Sequence, residues 1–190
     1  MRTRWIRIIA SLAVGGAVIA GCGSDDDTAT PSSESSTTTE AEAAGDTVEV
    51  TLADYEFEDL PAAVDSGTTF TVRNDSETEL HEFVAFRLPD DEERSVEDLV
   101  KLPEAELGAL FTGGPATVLL AEPGSDETIP AVGTGTIDEP GRYVIACFIP
   151  QGADPKEYMD AAAASEGGPP DVEGGPPHFV LGMYGELLVQ

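Results

Sequence analysis

Cysteine and histidine are scarce in this chain, which makes their placement informative. The sequence holds two cysteines, Cys22 and Cys147, and two histidines, His81 and His178. Apart from the initiator it has two methionines, Met159 and Met183. Four of these residues, Cys147, Met159, His178 and Met183, lie in one stretch, which opens Pro140-Gly141-Arg142-Tyr143-Val144-Ile145-Ala146-Cys147 and closes His178-Phe179-Val180-Leu181-Gly182-Met183. One thiolate and two imidazoles in a trigonal plane, with a weak axial thioether, are the donors of a mononuclear copper site. Taken singly, each residue has a plainer reading. Cys147 could be a buried inert thiol, half of an intermolecular disulfide, or a metal ligand. His81 could be a satisfied core histidine, His178 a loop residue beside Pro177, and Met183 ordinary core. The combination carries the signal.

A scaffold must bring His81 to the other three. Thr47 to Leu52 alternates with period two, as a half-buried strand does, and Tyr55-Glu56-Phe57 is a second alternating piece. Ser66-Gly67 turns the chain into a strand over Thr68 to Arg73, and Asn74-Asp75-Ser76 turns it again. Leu80 to Leu88 is a longer apolar strand with His81 near its start. Thr134 to Ile137, Arg142 to Phe148 and Phe179 to Val189 complete the set. Many short strands with Gly and Pro turns predict an all-β sandwich or barrel. Two insertions interrupt it. Ser95-Val96-Glu97-Asp98 has the form of a helix cap, followed by apolar residues at helical spacing, and Pro103 restarts a second short helix through Leu107. Between Cys147 and His178, Pro155 to Ser165 is Ala-rich and predicts a helix, whereas Gly167-Gly168-Pro169-Pro170 and Gly174-Gly175-Pro176-Pro177 predict loop. Residues 152 to 176 are expected to form a flap over or beside the metal pole, since both ends are tied to candidate ligands.

Over most of residues 47–190 the chain resembles the cupredoxins, the plastocyanin- and azurin-like blue-copper proteins. The family's first histidine follows an asparagine-bearing turn and begins an apolar strand, as His81 does after Asn74. Its Gly-x-Tyr-x-x-x-Cys run is matched by Gly141, Tyr143 and Cys147. Its second histidine and axial methionine, with four residues between them, are matched by His178 and Met183. The resemblance implies a Greek-key β-sandwich with short helical insertions and one type 1 copper. It also implies His81, Cys147, His178 and Met183 as the ligands. One departure is large: family members have a few residues between the cysteine and the second histidine, and this chain has 30. Hydrogen bonds to the cysteine sulfur are expected from backbone amides near Asn74 or in residues 148–152.

Upstream of this domain the chain reads as a targeting segment and a tether. Arg2, Arg4 and Arg7 precede an apolar run from Ile8 to Ala20, too short for a comfortable membrane span. The ending Ile19-Ala20-Gly21-Cys22 resembles the bacterial lipobox, which implies cleavage before Cys22, a lipid on Cys22 and a domain outside the cytoplasm. Residues 22–46 are an acidic, Ser/Thr-rich segment without aromatic residues or apolar periodicity, expected to remain disordered.

After the first 21 residues the chain holds six basic residues against 37 acidic ones, a net charge of −31. That charge argues against nucleic acid and permits a basic protein partner. There is no Gly-rich phosphate loop and no serine nucleophile elbow, and two histidines cannot build a second, multi-histidine copper centre. The expected function is therefore not enzymatic. It is a one-electron carrier, expected as a monomer, anchored at the outer face of the membrane and exchanging electrons with a basic redox protein. The alternatives are a copper-holding or copper-delivery lipoprotein and a metal-free interaction domain of the same fold.

Overall fold

The structure is a computed structural model of the chain and describes residues 45–165 and 170–190. The expected targeting segment, Cys22 and nearly all of the expected tether lie outside the described residues. In chain order the elements are β1 (Thr47–Ala53), β2 (Glu56–Glu58), β3 (Ala63–Val64), β4 (Thr68–Asn74), β5 (His81–Arg87), α1 (Val96–Leu99), α2 (Glu104–Leu110), β6 (Thr117–Ala121), β7 (Ile129–Val132), β8 (Thr136–Ile137), β9 (Gly141–Ala146), α3 (Pro155–Ala164), α4 (His178–Leu181) and β10 (Tyr184–Val189). The strands form two sheets, one in the order β2-β1-β4-β8 and the other β3-β10-β9-β5-β6-β7. This is the all-β sandwich with short helices that the sequence predicts.

The core lies between the sheets. The smaller sheet contributes Val50, Leu52, Phe70 and Val72; the larger contributes Phe83, Leu119, Tyr143, Ile145, Leu187 and Val189. Strand β4 shows why the alternation was readable. Thr68, Phe70, Val72 and Asn74 are buried and the residues between them are half-buried, because only one face meets the core. Strand β9 does not alternate. Tyr143, Ile145 and Cys147 join the sandwich core, whereas Val144 and Ala146 face a second cluster built with Val96 and Leu99 of α1 and Leu107 of α2. The first insertion thus covers the outer face of the large sheet, and a strand covered on both faces reads as a continuous apolar run. Helix α1 begins as its sequence predicts, with the Ser95 hydroxyl accepting from the Asp98 N–H.

Several boundaries differ from the sequence reading. Tyr55 is not in a strand: it sits at φ 65°, in the left-handed turn that joins β1 to β2. The segment Phe179–Val189 is not one strand. Pro177 and His178 start a single helical turn, α4, which Gly182 ends at φ 125°, and β10 begins only at Tyr184. The predicted strand from Thr134 contracts to β8, since Gly135 turns the chain at φ 90°. Strands β3, β6 and β7 were not anticipated. Strand β6 is a short apolar run between Pro115 and Pro123, and its boundaries were legible.

Candidate metal centre

The site is built where β5 begins and β9 ends. His81 is the first residue of β5 and pairs across the sheet with Ala121 of β6. Strands β5 and β9 are antiparallel neighbours, with Val84 opposite Ala146, so the start of one lies beside the end of the other. Period-two alternation then turns Cys147 inward, like Tyr143 and Ile145. Asn74 holds the turn that delivers His81. Its buried side-chain amide donates to the carbonyls of Glu79 and Ala121, each at 2.9 Å, and its Oδ1 accepts from the Ser76 N–H at 2.9 Å.

The 30 residues between Cys147 and His178 do not leave the ligands far apart, because the excursion is pinched at its base. Pro150 and Pro177 form an antiparallel bridge. Around it, Gln151 N–H donates to Pro176 O at 3.0 Å, Gly175 N–H to Gln151 O at 2.8 Å, His178 N–H to Ile149 O at 3.0 Å and Phe179 N–H to Cys147 O at 2.8 Å. Gly182 then folds the chain back. Met183 N–H donates to His178 O at 3.0 Å, and Cys147 N–H donates to Met183 O at 3.2 Å. Backbone bonds thus tie Cys147, His178 and Met183 to one another as a short loop would.

The donor atoms converge. His81, Cys147 and His178 each offer one ligand atom, and these atoms lie within 4.8 Å of one another. His81 Nδ1 and His178 Nδ1 are 3.1 Å apart, and Cys147 Sγ is 3.3 Å from His178 Nδ1. All three residues, and Met183, are fully buried. Both Nε2 atoms are buried without a hydrogen-bond partner and point away from the centre towards carboxylates: Asp54 Oδ1 lies 3.8 Å from His81 Nε2, and Glu79 Oε2 lies 3.5 Å from His178 Nε2. With Nε2 carrying the proton, each Nδ1 lone pair faces the centre, an orientation that carboxylates behind a ligand histidine favour. Tyr55 covers His178 edge-on, its ring centroid 5.0 Å away.

Electrostatics favour neutral imidazoles. Burial, reinforced by His178, lowers the pKa of His81 to about 4 against the opposing pull of Asp54. Burial likewise lowers that of His178, opposed by Glu79. Burial pushes the Cys147 thiol well above its ordinary value, and the charge of Glu82 adds to the shift; the backbone amides of Glu82 and Ile149 pull the other way. A thiolate in this place therefore calls for a cation beside it. Two inward imidazole nitrogens and one inward sulfur fit a soft, thiolate-accepting copper ion, and His81, Cys147 and His178 fit one type 1 site.

The sulfur's amide donors are only partly those expected. One belongs to Ile149, within residues 148–152. The other is the Glu82 N–H, 3.5 Å from Sγ, whereas the backbone N–H groups of Asn74 and Asp75 donate to Ser125 O and Leu52 O. The sequence reading also missed Asp54, Glu79, Glu82 and Tyr158. For Glu82 a signal existed: it is an acid directly after His81 in an otherwise apolar strand. Its carboxyl is buried, which raises its pKa to about 7, against the opposing bonds from Phe148 and Tyr158. Within the expected flap, α3 (Pro155–Ala164) packs into the protein beside the site. Tyr158 of α3 belongs to the same core cluster as Cys147 and Met183.

No family model and no curated protein matches the chain. Among solved structures it is similar to a dithionite-reduced auracyanin from the photosynthetic bacterium Roseiflexus castenholzii, with 19% identity and a TM-score of 0.43, covering 77% of this chain and 98% of that one. It is also similar to auracyanin A, a "blue" copper protein of the green thermophilic photosynthetic bacterium Chloroflexus aurantiacus, with 17% identity and a TM-score of 0.39, covering 76% and 98%. For auracyanin B the identity is 17% and the TM-score 0.32, covering 78% and 91%.

Proposed function

We propose that the chain is a copper-binding one-electron carrier, in which His81, Cys147, His178 and Met183 would hold the copper. The observation that carries this reading is the burial of all three converging donors within 4.8 Å of one another. A bound copper supplies one-electron chemistry, cycling between Cu(I) and Cu(II). The protein's part is to hold the ligands still. The imidazoles stay neutral and aimed inward, amides of Glu82 and Ile149 face the sulfur, and backbone bonds lock Cys147, His178 and Met183 together. A centre that moves little between oxidation states exchanges electrons at low cost. Complete burial of the donors also supports a carrier over a delivery protein, which needs its metal accessible to a recipient.

The domain is exported and held at the outer face of the membrane by a lipid on Cys22, a reading supported by Ile19-Ala20-Gly21-Cys22 after the apolar run. No helix among the described residues is long and apolar enough to cross a membrane. Mass spectrometry of the mature amino terminus should find a lipidated Cys22; an unmodified Cys22 or a retained Met1 refutes the anchor.

The redox partner is a basic protein, steered by the net −31 that follows the first 21 residues. Stopped-flow oxidation of the reduced copper protein should be faster with a cationic than with an anionic oxidant of similar potential. The advantage should be largest at low salt and shrink as the Debye length falls to about 8 Å at physiological ionic strength. Equal rates at low salt would exclude steering. Loss of copper on reduction, or ready transfer to a chelator, would replace the carrier with a store or delivery protein.

A further inference from the structure

The pinch at Pro150 and Pro177 brings His178 to the site and engages the carbonyls of Cys147 and Ile149, which leaves the Phe148 N–H between them. Strand β9 ends at Ala146, so Phe148 has no ladder partner. Its N–H instead donates to Glu82 Oε1 at 3.0 Å, across 66 residues of sequence. The other carboxylate oxygen, Oε2, accepts from the Tyr158 hydroxyl of α3 at 3.2 Å. The backbone N–H of Glu82 faces Cys147 Sγ at 3.5 Å, and its chain neighbour is His81. Glu82 is 5% exposed and Tyr158 is 4% exposed. An apolar residue would cost less at so buried a position, where a carboxyl is tolerated only if its oxygens are bonded. Both oxygens of Glu82 are bonded, to groups on two different segments. Helix α3 is itself firmly begun, with Pro155 in its first turn and the Asp154 carboxylate accepting from Glu157 N–H at 2.9 Å.

We propose that Glu82 and Tyr158 form a buried clasp that positions Cys147, joining the ligand-bearing starts of β5 and the Cys147 loop to α3. The clasp makes the long excursion between Cys147 and His178 a strut for the metal centre. Glu82 and Tyr158 touch no metal and act through Phe148 and the Glu82 amide. The clasp's role at the centre rests on the copper-site reading above, whereas its existence can be tested without any metal.

The test compares the full chain with its Glu82→Ala, Glu82→Gln and Tyr158→Phe variants, first metal-free, by amide hydrogen exchange. Exchange at Phe148 should rise about tenfold in Glu82→Ala, which removes its acceptor. It should stay near the wild-type rate in Glu82→Gln, whose amide oxygen can still accept. Tyr158→Phe should speed exchange at Phe148 and along α3 together. If Tyr158→Phe leaves both unchanged, the clasp is refuted, and this conservative variant decides the matter even should Glu82→Ala fail to fold. The copper-loaded proteins give the second readout. The thiolate-to-copper band should broaden and shift in Glu82→Ala, return in Glu82→Gln and lie between them in Tyr158→Phe. A band identical in all four proteins refutes the positioning role. A wild-type protein with no such band overturns the copper reading instead, and the exchange data then stand alone.

Discussion

Cys147→Ser should abolish the intense visible absorption of the copper(II)-loaded protein completely. The band expected of this site arises from charge transfer between a thiolate and copper, and Cys147 is the one thiol beside His81 and His178 among the described residues. A serine hydroxyl is smaller, harder and far less easily ionised, so it neither supplies the transition nor favours Cu(I). The fold should survive. The new hydroxyl sits beside His178 Nδ1 and the Glu82 N–H, which lie 3.3 Å and 3.5 Å from the sulfur now, so it is not left without partners. Far-ultraviolet circular dichroism should therefore match the wild type while the colour is lost. His81→Ala and His178→Ala should each open or empty the site. Retention of the same visible band in Cys147→Ser would remove the thiolate from the centre and the assignment with it.

Phe70→Ala should have the largest effect on stability while sparing the chemistry. Phe70 is 1% exposed on β4, in the sheet opposite the ligands' strands, and stacks on Phe83 with centroids 5.2 Å apart. Truncating a buried phenylalanine costs about 3–5 kcal/mol, from lost transfer energy and the cavity left behind. Against a usual total of roughly 5–15 kcal/mol that is a severe loss. The urea midpoint of the metal-free protein should fall accordingly, with little change in the slope. Below the new midpoint the copper-loaded variant should keep its visible band, because β4 carries no ligand and Asn74, its tie to the His81 turn, is left in place. A loss below about 1 kcal/mol would mean that the two sheets do not pack through Phe70.

What could be read from the sequence follows from the range of the interactions involved. Alternation in β4 was legible because one face meets the core and the other does not. The interval of four residues between His178 and Met183 was legible because one turn, ended by Gly182, sets it locally. Burial on both faces hid the alternation of β9, since the covering helices α1 and α2 come from a distant insertion. Helix α4 was hidden because Phe179-Val180-Leu181 suits a strand as well as a turn of helix, and Pro177 together with Gly182 decides between them. The 30 residues between Cys147 and His178 are a large departure from the spacing of the family that the chain resembles. Closure of this excursion depends on backbone pairing between residues 149–151 and 175–178, which carries no side-chain signature. Glu82 stood out as an acid in an apolar strand, but its partners Phe148 and Tyr158 lie 66 and 76 residues away and only the fold brings them near.

The central claim is that a single copper is held by His81, Cys147 and His178. X-ray absorption at the copper edge of the loaded full-length protein tests it most directly, because it reports the atoms bound to the metal. At one equivalent of copper, one short sulfur and two imidazole nitrogens should make up the inner shell, and the sulfur should vanish in Cys147→Ser. An inner shell of oxygen and nitrogen alone, unchanged by that substitution, would place the metal on the acidic surface and contradict the account.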